Sequence, residues 1–95
     1  MKHCIVFLDR GSLKAEVRRP SFDHDWTEYD ATAADEILPR LADATIAIVN
    51  KVPLNAATLA RLPKLELIAV AATGYDRIDV TACRARGIAL TNIRN

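Results

Sequence analysis

Residues 65–91 read Leu-Glu-Leu-Ile-Ala-Val-Ala-Ala-Thr-Gly-Tyr-Asp-Arg-Ile-Asp-Val-Thr-Ala-Cys-Arg-Ala-Arg-Gly-Ile-Ala-Leu-Thr. Leu65 to Ala72 is a nearly continuous apolar run, the pattern of a strand covered on both faces. It stops at Thr73-Gly74. Asp79 is placed to cap a helix over residues 80–86, with Ile78 and Cys83 as the two members of a hydrophobic staple. Gly87 suits the left-handed position that closes such a helix, and Arg84 and Arg86 put positive charge in its last turn. Ile88 to Leu90 then resumes an apolar strand. Strand, glycine turn, helix and strand in this order place main-chain amides at a strand's carboxyl end, where α/β sheets bind small anions.

The same rhythm extends toward the N-terminus. A first strand is expected over His3 to Leu8, emptying into the turn Asp9-Arg10-Gly11-Ser12 and a short helical piece that stops before Pro20. A more polar strand is expected around Trp26 to Tyr29. Thr32 and Asp35 resemble a capping box ahead of a helix with Ala34, Ile37, Leu38 and Leu41 on one face, bent or shortened by Pro39. Ile46 to Val49 forms a third apolar strand. Asn55 can cap a helix presenting Ala56, Leu59 and Ala60 on one side before Pro63 closes it. Five strands alternating with helices predict an α/β fold: a flavodoxin-like three-layer sandwich around a parallel sheet of order 2-1-3-4-5, with the Trp26 to Tyr29 strand at an edge.

Ninety-five residues make one domain, and 51% hydrophobic with 26% charged residues is a globular composition. A formal net charge of +1 gives neither a basic field for nucleic acid nor an acidic tail. No segment has the length of a membrane span and the N-terminus lacks a signal peptide's pattern, so the expected location is cytoplasmic. Cys4 and Cys83 form no C-x-x-C pair and read as small core residues. His3 and His24 have no ligand-spaced neighbours, so no metal site is expected.

Parallel strands deliver their following loops to one rim. Those loops include Asp9-Arg10-Gly11, Asn50-Lys51 and Thr73-Gly74-Tyr75, so Lys51 and the amides at Gly74 are candidates to grip a small carboxylate, a point charge from one side and oriented peptide donors from the other. No G-x-G-x-x-G, Walker A loop, H-E-x-x-H or G-x-S-x-G occurs, and neither histidine has a carboxylate spaced for acid/base work. The chain has no reaction centre of its own.

The segments Val49-Asn50-Lys51-Val52-Pro53-Leu54, Leu62-Pro63-Lys64-Leu65-Glu66-Leu67-Ile68, Ala71-Ala72-Thr73-Gly74-Tyr75-Asp76-Arg77-Ile78-Asp79 and Arg86-Gly87-Ile88-Ala89-Leu90-Thr91-Asn92 resemble the N-terminal substrate-lobe segment of D-isomer-specific 2-hydroxyacid dehydrogenases, nearest to the glycerate dehydrogenase/hydroxypyruvate reductase branch. The resemblance implies main-chain donors to a 2-keto-acid carboxylate at Thr73 and Gly74, with Lys51 and Val52 lining the same cleft. It implies hydride transfer between NAD or NADP and a small 2-hydroxy or 2-keto acid, in an enzyme that is a homodimer when complete. The catalytic histidine, its glutamate, the substrate arginine and the cofactor-binding glycines of similar proteins lie beyond position 95. No catalytic or cofactor-binding residue is therefore assigned in this chain. Residues 1–95 are expected to be the N-terminal part of the substrate-binding lobe, a fragment without the nicotinamide-binding domain and the closing C-terminal segment, and inactive alone.

Two other readings stay open on the residues themselves. A receiver-like phosphoacceptor domain shares the strand order and would use Asp9 after strand one and Thr73 after strand four, but it needs an aspartate after strand three and a lysine after strand five, where this chain has Asn50 and Thr91-Asn92. A free-standing interaction module with the same fold would carry an exposed apolar surface for a partner.

Overall fold

The computed structural model describes residues 3–12, 21–71 and 77–92. Its strands are β1 (His3–Phe7), β2 (His24–Glu28), β3 (Ile46–Val49), β4 (Leu67–Val70) and β5 (Ala89–Asn92), and its helices are α1 (Ile37–Leu41), α2 (Ala56–Leu59) and α3 (Val80–Ala85). The strands form one five-stranded sheet in the order β2-β1-β3-β4-β5, and every pairing is parallel. This is the expected sheet, with β2 at one edge.

Period-two alternation of side chains divides the sheet's apolar residues between two clusters. Val6, Leu8, Ala47, Val49, Ile68 and Val70 face the larger one, which also takes Ile37 and Leu41 of α1, Leu59 of α2 and Cys83 of α3. Ile5, Phe7, Ile46, Ile48 and Ala69 form the second, with Trp26 and Leu67 partly buried against it. Central strands thus need apolar residues at every position, which is why Ile46–Val49 is buried throughout. The three α-helices among the described residues share a side for a topological reason. The connections from β2 through to β5 all step across the sheet in one direction, and right-handed crossovers then place their helices on one face. The reverse step from β1 to β2 runs through residues 13–20, outside the described residues, and so does the short helical piece expected there.

Local chemistry sets the helix ends. Asn55 Oδ1 accepts from the Thr58 amide at 2.9 Å, and Asp79 Oδ1 accepts from the Ala82 amide at 2.9 Å; caps of this kind are worth about 1 kcal/mol each. α3 closes in a Schellman arrangement, with the Ile88 amide donating to the Cys83 carbonyl at 2.9 Å and the Gly87 amide to the Arg84 carbonyl at 3.3 Å. Gly87 has φ of 70°, the left-handed conformation that a Cβ penalises. Ile78 and Cys83 are both buried in the larger cluster, as the staple requires.

Elsewhere the structure departs from the sequence expectations. The turn before α1 is capped one residue later than expected: the Ala33 amide donates to Glu36 Oε1 at 2.8 Å. Thr32 does not cap the helix, because its hydroxyl donates to the Leu8 carbonyl at 2.6 Å. A short 3-10 turn over Ala34–Glu36 precedes the α-helical Ile37–Leu41. Ala34, Ala56 and Ala60 are exposed, so Ile37, Leu41 and Leu59 carry the burial. Cys83 is buried and Cys4 partly so, and both are free thiols. Burial, and next the Asp79 carboxylate, push the Cys83 thiol above its ordinary range. Burial first and Asp25 second do the same at Cys4. Neither is poised as a thiolate nucleophile.

Candidate functional site

Parallel pairing carries β1, β3 and β4 to a common carboxyl rim, with Phe7 opposite Ile48 and Val49 opposite Val70. Just past β1 the chain turns at Asp9-Arg10-Gly11. The Arg10 amide donates to the Tyr29 carbonyl at 2.8 Å and the Gly11 amide to the Asp30 carbonyl at 3.1 Å. Glycine is needed at this approach, since a Cβ on Gly11 would sit 2.9 Å from the Asp30 carbonyl oxygen. The turn is thereby fixed against the end of β2.

Asp9 is the one buried polar or charged residue among the described residues, 5% exposed. Its two carboxylate oxygens are taken by separate donors: Oδ1 accepts from the Asn50 amide at 2.8 Å, and Oδ2 from the Lys51 amide at 2.6 Å. Burial of a carboxylate is tolerable only with such donors, and oriented amides are the strong kind. The loop leaving β3 is therefore pinned to the end of β1.

Beside this clamp lies a cleft of about 310 Å³, bounded by Asp30, Ala31, Thr32, Ala34 and Ile37 on one segment and by Lys51, Val52 and Pro53 on another, with Asp9 also in its lining. Its β2 side is stiffened by Arg40. The guanidinium donates to the Ala31 carbonyl at 2.8 Å, to Thr32 Oγ1 at 2.8 Å and to Glu36 Oε2 at 2.9 Å, and stacks 3.9 Å above the Tyr29 ring. Val52 is buried, whereas the Lys51 side chain is exposed. A cation and an apolar wall thus stand side by side on the loop that Asp9 holds.

The described residues on either side of positions 72–76 are tied to the β3 side of this rim. Before them the Ala71 amide donates to the Val49 carbonyl at 2.7 Å. After them Leu54 and Ile78 form a parallel bridge; the Leu54 amide donates to the Arg77 carbonyl at 2.9 Å and the Asp79 amide to the Leu54 carbonyl at 3.0 Å. Thr73 and Gly74 lie outside the described residues, between these two ties. Of the residues expected to line the site, the structure brings Lys51 and Val52 together on one cleft.

His3 and His24 begin β1 and β2, at the sheet's other end. His3 Nδ1 lies 3.0 Å from Thr45 Oγ1, and His24 Nδ1 lies 2.8 Å from the Phe22 carbonyl. No group of three metal-ligating side chains occurs among the described residues. Among them, also, no helix is long and apolar enough to cross a membrane. Sequence reasoning placed Asp9 on the rim but missed its role as the clamp on the Asn50 and Lys51 amides. Its signal was an acidic residue directly after an apolar strand, but its partners are distant in sequence.

A family model described as D-isomer specific 2-hydroxyacid dehydrogenase, catalytic domain, matches residues 5–95. The chain belongs to this family. Among curated members of the 2-hydroxyacid dehydrogenases, a glycerate dehydrogenase of Methylorubrum extorquens is 54% identical over 92 residues, 96% of this chain and 29% of that protein. A putative 2-hydroxyacid dehydrogenase of Haemophilus influenzae is 45% identical over 91 residues, 94% of this chain and 29% of that protein. The chain thus spans about three tenths of the length of these two relatives. The fold matches a solved NAD⁺-bound 3-phosphoglycerate dehydrogenase of Entamoeba histolytica with a TM-score of 0.74 at 20% identity, covering 97% of this chain and 33% of that one.

Proposed function

We propose that residues 1–95 are the N-terminal part of the substrate-binding lobe of an oxidoreductase that transfers a hydride between NAD(P)H and a small 2-keto or 2-hydroxy carboxylate. The observation that carries this reading is that residues 50–54 and the described residues flanking positions 72–76 meet at one rim. The Asn50–Leu54 loop is held by Asp9; Ala71 is tied to Val49 at the end of β3 and residues 77–79 are tied to Leu54. In this reading Thr73 and Gly74 give main-chain donors to the substrate carboxylate, Lys51 adds positive charge, and Val52 forms an apolar wall that excludes water.

A nicotinamide supplies the hydride when bound, but nothing in this chain fits it. The chain's three glycines, at positions 11, 74 and 87, are too far apart for a dinucleotide turn, and both histidines sit at the end of the sheet opposite the rim. In this reading cofactor binding and proton donation fall to a nicotinamide-binding domain and a closing segment of a longer enzyme, which the family likeness leads us to expect to be dimeric and cytoplasmic. The receiver-like alternative fails on the same rim, since the Asp9 carboxylate is engaged by the backbone of Asn50 and Lys51.

The test is an assay of the full-length protein that carries this chain, following NADH and NADPH oxidation with glyoxylate, hydroxypyruvate and pyruvate. Saturable reduction of at least one of them is expected. A folded, full-length protein that reduces none of the three with either nucleotide would refute the proposal.

A further inference from the structure

We infer that Asp9 is a positioning residue for the substrate site, acting through the loop that bears Lys51 and Val52; this rests on the function proposed above. Two successive amides aimed at one centre make an anion-binding concavity, and at Asn50 and Lys51 that concavity is filled from within by the Asp9 carboxylate, at 2.8 and 2.6 Å. The Lys51 amide is therefore committed to holding the loop and is not a donor to substrate. What the loop offers to the cleft is the exposed Lys51 side chain and the buried Val52 side chain.

The geometry on the opposite side of Asp9 makes it a fixed post. The Leu8 amide, one residue earlier, donates to the Ile48 carbonyl at 3.0 Å, and the Leu8 carbonyl accepts from the Thr32 hydroxyl at 2.6 Å. Thr32 is held in turn by Arg40 at 2.8 Å. The carboxylate thus transmits the position of β1 and of the loop after β2 to residues 50–52. An aspartate is required rather than an asparagine, because both oxygens receive N–H groups and an amide would present its own N–H₂ to one of them.

The experiment uses the full-length enzyme and its D9A and D9N variants. D9A empties a space the size of a small carboxylate against two unpaired amides, so formate or acetate should refill it. The expected result is a keto-acid KM raised about tenfold or more, the scale of one lost charge-assisted hydrogen bond, with the nicotinamide KM within about twofold. Formate at tens of millimolar should bring the keto-acid KM of D9A back toward wild type. D9N, which keeps the volume, should show the same KM split without rescue, together with faster hydrogen exchange at the Asn50 and Lys51 amides. An active wild type whose D9N variant keeps its keto-acid KM, or whose KM values for both substrates rise together, would overturn the role of Asp9 alone. A folded wild type without keto-acid reduction would instead overturn the functional reading on which it rests.

Discussion

β1 and β3 are stitched together at both ends, and the two stitches use opposite chemistry. At the amino end Thr45 does the work with a neutral hydroxyl: its Oγ1 accepts from the Cys4 amide at 3.0 Å and lies 3.3 Å from the Cys4 carbonyl. At the carboxyl end Asp9 does it with a buried carboxylate that takes the Asn50 and Lys51 amides. Each stitch joins positions 41 residues apart. A hydroxyl can donate and accept, so it suits a strand's paired edge, whereas an acceptor-only carboxylate collects N–H groups and leaves the loop's carbonyls and side chains to other uses. The fold spends a charge at the end where a site is proposed and none at the other.

The sharpest way to break this comparison is Asp9→Leu, which removes the acceptor without opening a cavity that an added anion can fill. Leaving two part-buried amides without their acceptor should cost roughly 2–4 kcal/mol, read as a lower urea midpoint, a large fraction of a small domain's stability. A midpoint equal to wild type would show the carboxylate to be dispensable. Next in size, Gly74→Val in the full-length enzyme should raise the keto-acid KM about ten- to a hundredfold, corresponding to the roughly 1.5–3 kcal/mol of one charge-assisted bond, while sparing the nicotinamide KM. An unchanged keto-acid KM would remove Gly74 from the site.

Thr45→Val tests the opposite stitch. Losing neutral bonds to Cys4 should cost about 1–2 kcal/mol in urea denaturation, with keto-acid KM unmoved; a KM change comparable to that of the Asp9 variants would erase the contrast between the two ends. The smallest expected effect is that of Asp79→Ala, about 1 kcal/mol for the lost cap of α3. It carries a second readout. The folded state holds the Cys83 proton more tightly than the unfolded chain does, through burial first and the Asp79 carboxylate second. Stability from this source is complete below the ordinary thiol range and declines as pH rises past it. Asp79→Ala should therefore shift the Cys83 thiol downward and soften the alkaline decline, as followed by thiol titration in native and denaturing conditions.

What the sequence made legible was what short-range chemistry controls. The run Ile46–Val49, the caps at Asn55 and Asp79 and the left-handed Gly87 each depend on neighbours within a few residues, and all stand where the pattern put them. The strand order followed from alternation and handedness. Thr32 shows where this stops: as a helix cap it competed with the Leu8 carbonyl 24 positions away, and the distant partner won. The partners of Asp9 were hidden for the same reason, since nothing near it in sequence tells which amides it will meet. Lys51 and Val52 were reached through the parallel rim and the family likeness together, whereas Thr73 and Gly74 lie outside the described residues.

The isolated bridge that, among the described residues, joins Leu54 to Ile78 couples two stretches that would otherwise respond separately to change. Residues 50–54 and 77–79 form a single jointed plate, so a substitution on one side alters the seating of the other. Paired replacements across the bridge, such as at Leu54 and Ile78, should depart from the sum of their separate effects. Anyone seeking to retune such an enzyme would do better to vary the two loops jointly than to perfect either in turn.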